Sequence, residues 1–152
     1  MKIEQISWSD IAPVWRFQLW PDRSSLIETH SAMTWPWTSD TEYDMSIFDQ
    51  PATYWGAYEN HILVGVNSGH GTTDSEYRSR GLWIDPDWRF RGIGTKLLKH
   101  TCDYASDQGY AMIWSLPRVI IIKTYQSAGF QEVGDIMPTE TSDQNIYVRQ
   151  YL

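Results

Sequence analysis

The residues best suited to chemistry lie where an apolar run meets two closely spaced glycines and two arginines. The run that ends at Ile84 is typical of a strand, and the apolar spacing after Gly94 is typical of a helix. Glycines let backbone N–H groups approach an anion closely, and a helix N-terminus adds partial positive charge at the same place. The stretch therefore predicts either an anion-binding turn flanked by Arg89 and Arg91 or an ordinary tight turn between strand and helix.

Charge is distributed unevenly along this chain of 152 residues, whose net charge is −7. Residues 1–77 carry three basic and eleven acidic side chains, whereas residues 78–123 carry eight basic and four acidic ones. Nonspecific nucleic-acid binding needs clustered Lys and Arg, so the acidic total argues against a nucleic-acid partner. The basic window favours a discrete anionic ligand, although a solvated helix face would leave the same pattern.

Size and composition fit one folded unit, and we expect a single domain over residues 1–152. The longest aliphatic run, from Val119 to Ile122, is too short to cross a bilayer, so we expect no membrane partner. The first residues contain no apolar segment typical of a secretory signal, which predicts a cytoplasmic protein. Cys102 is the single cysteine, so we expect no disulfide, no cysteine-based zinc site and no bound metal.

The elements that must position these residues begin with a strand and a helix. Alternating polar and apolar residues predict a strand over 2–7. Apolar residues at helical spacing predict a helix that is capped by Ser9 or Asp10 and ends at Pro21. The polar and aromatic region that follows carries weak signals, which predict a short helix within 40–48.

The rest of the chain is typical of strands around one long helix. Apolar residues at i, i+4, i+5, i+8, i+9 and i+12 from Ile93 predict an amphipathic helix that ends at Gly109. Strands are predicted at residues 53–58, 62–69, 76–85, 111–116, 130–137 and 145–151, with loops at 69–75 and 138–143.

Two motifs in the second half of the chain carry a family resemblance. Arg89-x-x-Gly92-x-Gly94 matches Arg/Gln-x-x-Gly-x-Gly/Ala after a strand, and Tyr125-x-x-x-Gly-Phe looks like Tyr-x-x-x-Gly-Phe. Both motifs are hallmarks of the GNAT superfamily of N-acetyltransferases, and the order of elements over 53–152 also resembles that superfamily. The resemblance implies an α/β fold of the α+β kind, with a mixed, mostly antiparallel sheet of six to seven strands flanked by about four helices.

The segment from Arg118 to Tyr125 is ambiguous when read alone. Its β-branched residues favour a strand by propensity. Pro117 suits the first turn of a helix and Gly129 suits the residue after one, so these two favour a helix instead. We predict the helix, since the family resemblance favours it as well.

The same resemblance implies an acetyl-CoA site. The backbone of residues 90–95 would hold the pyrophosphate, and residues 82–84 would pair with the pantetheine arm as an added strand would. Tyr125 would lie by the thioester sulfur and could protonate the departing thiolate, although it could also be a half-buried packing aromatic. The implied binding residues are Leu82, Trp83, Ile84, Arg89, Phe90, Arg91, Gly92, Ile93, Gly94 and Thr95.

An amine acceptor must also lose a proton, because a pKa near ~10.4 leaves on the order of one molecule in a thousand neutral at pH 7. In the resembled family a Glu or His on the strand before the glycine turn often helps. Alternation back from Leu82 leads to Arg80 and Arg78, which are no bases, and then to Glu76. Glu76 is therefore the predicted catalytic base, and His70 in the neighbouring loop or water are the alternatives.

The sequence gives opposing indications about the acceptor. Arg78 and Arg80 suit a carboxylate or phosphate beside the amine if they face the acceptor, but they could also pair with Asp74 and Glu76. The acidic first half would instead attract cationic amines. The resembled family shapes its acceptor pocket in a region that here contains the aromatic residues Trp35, Trp37 and Tyr43.

Two functions of different classes follow. The first is an acetyl-CoA-dependent N-acetyltransferase that moves an acetyl group to a primary amine of a small molecule or peptide by direct attack in a ternary complex. The second is a noncatalytic GNAT-like module that binds acetyl-CoA or another protein. An exposed edge strand near the C-terminus could also pair two subunits into a homodimer.

Overall fold

The computed structural model describes residues 1–38, 46, 49–137 and 144–152. Within them, seven strands form one sheet in the order β1-β2-β3-β4-β5-β7-β6. The β4–β5 pair is parallel and every other neighbouring pair is antiparallel. The strands are β1 (Lys2–Ile6), β2 (Thr53–Glu59), β3 (Ile62–Gly71), β4 (Glu76–Ile84), β5 (Met112–Ser115), β6 (Gln131–Met137) and β7 (Asn145–Tyr151).

Three α-helices accompany the sheet in the described residues: α1 (Trp8–Val14), α2 (Ile93–Asp107) and α3 (Ile122–Ser127). A π-helical turn at Trp15–Leu19 continues α1, and 3-10 turns stand at Pro86–Trp88 and Val119–Ile121. The mixed, mostly antiparallel sheet confirms the predicted fold class, with seven strands and three described helices where about four were expected. No helix in these ranges is long and apolar enough to span a membrane.

The helices pack on both faces of the sheet. Adjacent residues of a strand point to opposite faces, and on β2 Tyr54 packs with Trp15 of the α1 layer while Trp55 packs with Leu97 of α2. The buried face of α2 consists of the residues that the periodicity predicted, namely Ile93, Leu97, Leu98, Thr101, Cys102 and Ala105, together with Gly94. A third group around Trp114 of β5 joins Trp35 from the loop after α1.

The N-terminal elements differ from prediction in two places. Helix α1 has Ser7 as its N-cap, and Asp10 is its third residue, where the carboxylate accepts hydrogen bonds from the Ser7 backbone N–H at 3.0 Å and hydroxyl at 2.8 Å. Capping by Ser9 or Asp10 was therefore wrong by two or three residues. Strand β3 runs on to Gly71, so His70 lies on a strand and not in the predicted loop.

A β-bulge in β4 changes which face its side chains occupy. Ser68 of β3 pairs with Arg80, and Val66 pairs with Trp83, so β4 carries one extra residue between these pairs. Gly81 provides the bend with φ +73°, and a Cβ there would fall 2.4 Å from the Trp15 indole. The alternation expected from Leu82 back to Arg80 was therefore wrong, because the bulge reverses it.

The segment after β5 is helical, as predicted, although propensity favoured a strand. It begins with the 3-10 turn, continues as α3, and ends at Gly129, whose φ of +101° is the left-handed conformation expected after a helix. Arg118 keeps one strand-like bridge to Asn145. Tyr43, the loop predicted at 138–143 and most of the short helix predicted within 40–48 lie outside the described residues.

Candidate active site

The candidate site is a cleft that opens where β4 and β5 separate. The two strands pair over Glu76–Arg78 and Met112–Trp114, and β5 then ends at Ser115 while β4 continues to Ile84. The Ser115 hydroxyl donates a hydrogen bond to the Ser79 carbonyl at 2.8 Å and closes the narrow end of the cleft. The open end is a cavity of about 1050 Å³ whose walls come from β4, the segment after β5, α3 and the loop after α1.

One wall of the cleft is an unpaired strand edge. From residue 79 to 84, β4 has β3 as its strand neighbour in the described residues, and the opposite edge faces the cleft. Peptide groups on such an edge can pair with an extended ligand as an added strand would. Of the three residues predicted here, Leu82 lines the cleft, whereas Trp83 and Ile84 pack into the α1 and α2 layers and leave their backbones for binding.

The glycine turn forms the N-terminus of α2. Gly92 is the N-cap with φ +79°, and a Cβ on it would meet no atom within 4 Å. The first intrahelical bond runs from the Lys96 N–H to the Gly92 carbonyl at 3.1 Å, so the N–H groups of residues 93–95 have no partner one turn earlier. Gly94 packs so closely against α3 that a Cβ added to it would lie 2.9 Å from Thr124 Cγ2. This geometry fits a bound anion such as a diphosphate.

Two arginines brace the loop in front of this helix. Arg89 donates from Nε to the Ile84 carbonyl at 3.0 Å, and Arg91 donates from Nη2 to the Asp87 carbonyl at 3.3 Å. The Arg91 guanidinium also lies 4.7 Å from the centre of the Trp88 ring. Phe90 between them is fully exposed with φ +63°, a conformation that the sequence did not predict. Both arginines thus hold the loop that leads into α2.

Tyr125 of α3 is a buried residue that lines the cleft. Its side chain is 3% exposed and packs edge-on against Phe130 at 5.4 Å. Burial raises the pKa of Tyr125 to about 12, while a hydrogen bond with Ser115 and the charge of Arg78 oppose that rise. The phenol therefore keeps its proton at neutral pH, and a protonated phenol can donate a proton but cannot accept one as a base does.

Glu76 and His70 are not among the described residues that line the cleft. The Glu76 carboxylate is buried and accepts hydrogen bonds from the Thr38 hydroxyl at 2.6 Å and the Thr73 hydroxyl at 3.2 Å. His70 lies between the Gly71 carbonyl, 3.0 Å from Nδ1, and the Ser31 N–H, 3.3 Å from Nε2. The structure thus brings neither residue together with Tyr125, and the role of Glu76 as a base stays a prediction.

Arg78 and Arg80 lie on the α1 side of β4 and line the cleft. Arg80 donates to the backbone carbonyl and carboxylate of Glu28, and its guanidinium lies 5.0 Å from the Trp15 ring centre. Arg78 donates to the Ser31 hydroxyl at 2.6 Å. Pairing with Asp74 or Glu76 was therefore the wrong alternative, and the partners come from a loop that has no periodicity to reveal them.

The aromatic residues proposed as pocket walls occupy other positions. Trp35 is buried against Trp114 and Tyr147, with ring centres at 5.8 and 5.6 Å. Trp37 packs on Trp35 and is about half exposed. Neither lines the cleft, and the indole that does so is Trp20, at the end of the π-helical turn. The predicted wall of Trp35 and Trp37 was wrong because both belong to the group around Trp114.

Comparisons with curated proteins give two relatives. A protein of Mycobacterium leprae, "Uncharacterized protein ML0378", is 29% identical over 103 residues, which cover 65% of this chain and 28% of that protein. The N-alpha-acetyltransferase RimI of Mycobacterium tuberculosis is 31% identical over 84 residues, which cover 53% of this chain and 53% of that protein. The matches thus span 28% and 53% of the length of these relatives.

Comparison with solved structures supports the same fold. A crystal structure of aminoglycoside 6'-N-acetyltransferase complexed with coenzyme A aligns with a TM-score of 0.70 at 13% identity, over 99% of this chain and 97% of the other. At that identity the likeness concerns the fold alone. The family model of the acetyltransferase (GNAT) family matches residues 15–130, a range that contains β4, β5, the glycine turn and Tyr125. The chain belongs to the acetyltransferase (GNAT) family.

Proposed function

We propose that this protein transfers the acetyl group of acetyl-CoA to a primary amine of a small molecule or peptide while both substrates are bound. The observation that carries the proposal is the cleft between β4 and β5, which places a free strand edge beside a buried phenol. The N-terminus of α2 lies next to that edge, since a Cβ on Gly94 would be 3.7 Å from the side chains of Leu82 and Ile84. Acetyl-CoA supplies an acyl group already activated as a thioester. The protein then needs to hold two substrates side by side and supply a proton.

The donor would bind mainly to main-chain groups. The β4 edge at residues 82–84 would pair with the amides of the pantetheine arm, and the N–H groups of residues 93–95 would point at the pyrophosphate. Arg89 and Arg91 would add positive charge, since each spends few donors on the loop itself. The open position at Gly92 leaves room for a phosphate oxygen close to the backbone.

Acetyl transfer forms a C–N bond to the amine and breaks the C–S bond of the thioester, and the sulfur leaves with the bonding electrons. The buried Tyr125 hydroxyl would give its proton to that sulfur and recover one from solvent through the open cleft. On the acceptor side, the amine would attack in its neutral form, and the proton that its nitrogen loses on forming the amide would leave to solvent water. Glu76 is kept as a candidate base to be tested separately.

Thermal unfolding with and without acetyl-CoA tests the donor site. A ligand that binds the folded state alone adds about 2.7 kcal/mol at a hundred times its Kd, which raises Tm by a few degrees for a chain of this size. We expect G92N to abolish the shift, because asparagine tolerates the left-handed conformation but fills the space above the turn. G109N is the matched control, since Gly109 has φ +89°, open space, and the opposite end of α2.

Tyr125→Phe tests the chemistry. The loss of a general acid costs about 10²- to 10⁴-fold in rate, so kcat should fall while the acetyl-CoA shift stays unchanged. A noncatalytic module would instead show the shift with no turnover of any amine in the wild-type protein. The absence of a shift at millimolar acetyl-CoA would refute the donor site and with it the proposed function.

The cytoplasmic location and a homodimer formed through an edge strand stay predictions. The C-terminal edge of the sheet is β6, whose pairing partner in the described residues is β7. Sedimentation of the purified protein would test the homodimer directly.

A further inference from the structure

The cleft is strongly basic in a protein that is acidic as a whole. Among the described residues that line it, four arginines accompany one carboxylate, that of Glu28; the arginines are Arg23, Arg78, Arg80 and Arg118. The net charge of the chain is −7, but of the eleven acidic side chains in residues 1–77 the described lining of this cavity contains that of Glu28 alone. The field inside the cleft therefore favours an anion over a polycation.

Two of these arginines already share the available carboxylate. Glu28 Oε1 lies 3.1 Å from Arg23 Nη2 and 3.2 Å from Arg80 Nη2. Arg80 also donates from Nη1 to the Glu28 carbonyl at 2.8 Å. Arg80 thus fixes the loop after α1 against β4, and its guanidinium is already paired with Glu28.

Arg78 differs because it has no counter-charge. Its Nη1 donates to the Ser31 hydroxyl at 2.6 Å, and its guanidinium lies 4.9 Å from the Trp114 ring centre. The Nε atom is buried without a hydrogen-bond partner, and no carboxylate of the described residues pairs with this side chain. A largely buried cation with an orphaned donor is costly unless something completes it.

Resting on the proposed function, we propose that Arg78 binds the carboxylate of the acceptor, so that the substrate is a small amine with a carboxylate beside the reacting nitrogen, as in an α-amino acid. Guanidinium groups bind carboxylates through two parallel hydrogen bonds, and the Arg78 side chain lines the cleft with Trp114 packed against it. In an α-amino acid the amine and carboxylate share one carbon. A carboxylate anchored at Arg78 therefore keeps the amine in the cavity that Tyr125 also lines.

Calorimetry on the full chain saturated with CoA tests this without requiring turnover. The probes are α-amino acids and the matching amino acid amides, which carry the same amine but no carboxylate. Hydrogen bonds to a charged group predict at least about tenfold tighter binding of the acids. R78Q should bring the ratio close to one, and R78K should keep part of it because the charge remains without the planar fork. R118Q, which removes another charge from the same cleft, should keep the ratio.

Steady-state acetylation gives the second readout. We expect Arg78→Gln to raise KM for amino acids at least tenfold while the acetyl-CoA shift in Tm stays as in the wild type. Equal binding of acids and amides by the wild type, or an equal preference in R78Q, would overturn the assignment. Loss of CoA binding in R78Q would overturn it too, since Arg78 would then serve the donor. Tighter binding of aminophosphonates than of amino acids would overturn the assignment of a carboxylate and indicate a phosphate-like group on the acceptor instead.

These outcomes are separable from failure of the proposed function. If acetyl-CoA produces no thermal shift in the wild-type chain, the donor site is wrong whatever Arg78 binds. If the shift is present and amines are acetylated without regard to a carboxylate, the function stands and the assignment of Arg78 fails.

Discussion

His70 makes the stability of the protein sensitive to acid. Its ring is 1% exposed, and its two nitrogens face a carbonyl oxygen, that of Gly71, and a backbone N–H, that of Ser31. This arrangement requires the neutral ring with its proton on Nδ1, because the carbonyl accepts and the N–H donates. Burial lowers the pKa of His70 to about 3, and the charges of Arg78 and Arg80 act in the same direction.

The size of the effect follows from the difference between the folded and unfolded states. An unfolded chain has a histidine pKa of about 6.5, so below that pH it binds a proton that the folded protein refuses. The contribution to the free energy of unfolding is complete above about pH 6.5 and falls by about 1.4 kcal/mol per pH unit down to about pH 3. At pH 5 this single residue should cost about 2 kcal/mol relative to pH 7.5.

Urea unfolding at pH 7.5 and pH 5.0, followed by tryptophan fluorescence, measures this loss. We expect His70→Gln to be less stable than the wild type at pH 7.5 and to lose about 2 kcal/mol less between the two pH values. His61→Asn is the control, because His61 lies on the exposed two-residue turn between β2 and β3 with φ +67° and asparagine tolerates that conformation. The reasoning is refuted if H70Q and the wild type lose the same free energy of unfolding.

Three further substitutions test other parts of the structure. Gly81→Ala should destabilise by about 3 kcal/mol or more, because the methyl group meets the Trp15 indole in a left-handed conformation; G109A shares the conformation but not the clash, so equal losses in urea unfolding would contradict this. Glu76→Gln tests the predicted base: loss of a general base should cost about 10²-fold in kcat/KM, and a change below about threefold would refute that role and leave the carboxylate as an acceptor for two threonine hydroxyls. Leu98→Ala should cost about 2–5 kcal/mol by leaving a cavity under α2, and a loss below 1 kcal/mol would show that the core collapses around it.

Strong periodicity and turn chemistry made much of the fold predictable. The apolar spacing from Ile93 predicted the buried face of α2, and alternation, apolar runs and turn residues predicted all seven strands to within about two residues. The ambiguous segment before Tyr125 could be predicted as a helix only with the family resemblance. Its β-branched residues favour a strand locally, and tertiary packing overrides that preference. The glycine turn at residues 92–94 was predicted at the correct position, because glycine is the residue type that tolerates the backbone conformations of such turns.

The parts that escaped prediction depend on register and on aperiodic loops. The bulge at Gly81 shifts β4 by one residue, so Arg78 and Arg80 do not share the face of Leu82 that alternation assigned to them, although both line the cleft. The partners of these arginines, Ser31 and Glu28, come from a loop whose sequence has no repeating pattern. Such contacts form between segments about fifty residues apart, so composition and spacing do not reveal them.

The bend at Gly81 separates two parts of β4 that present different groups to a ligand. After it, β4 offers main-chain amides and carbonyls, which are the same for every residue type. Before it, β4 offers side chains, which differ with every substitution. Under the proposed function, the thioester substrate would bind to the main-chain groups after the bend, and the amine would bind to the side chains before it. Substituting Arg78 would then change which amine binds without changing the binding of acetyl-CoA. This position is therefore suited to the redesign of acceptor specificity.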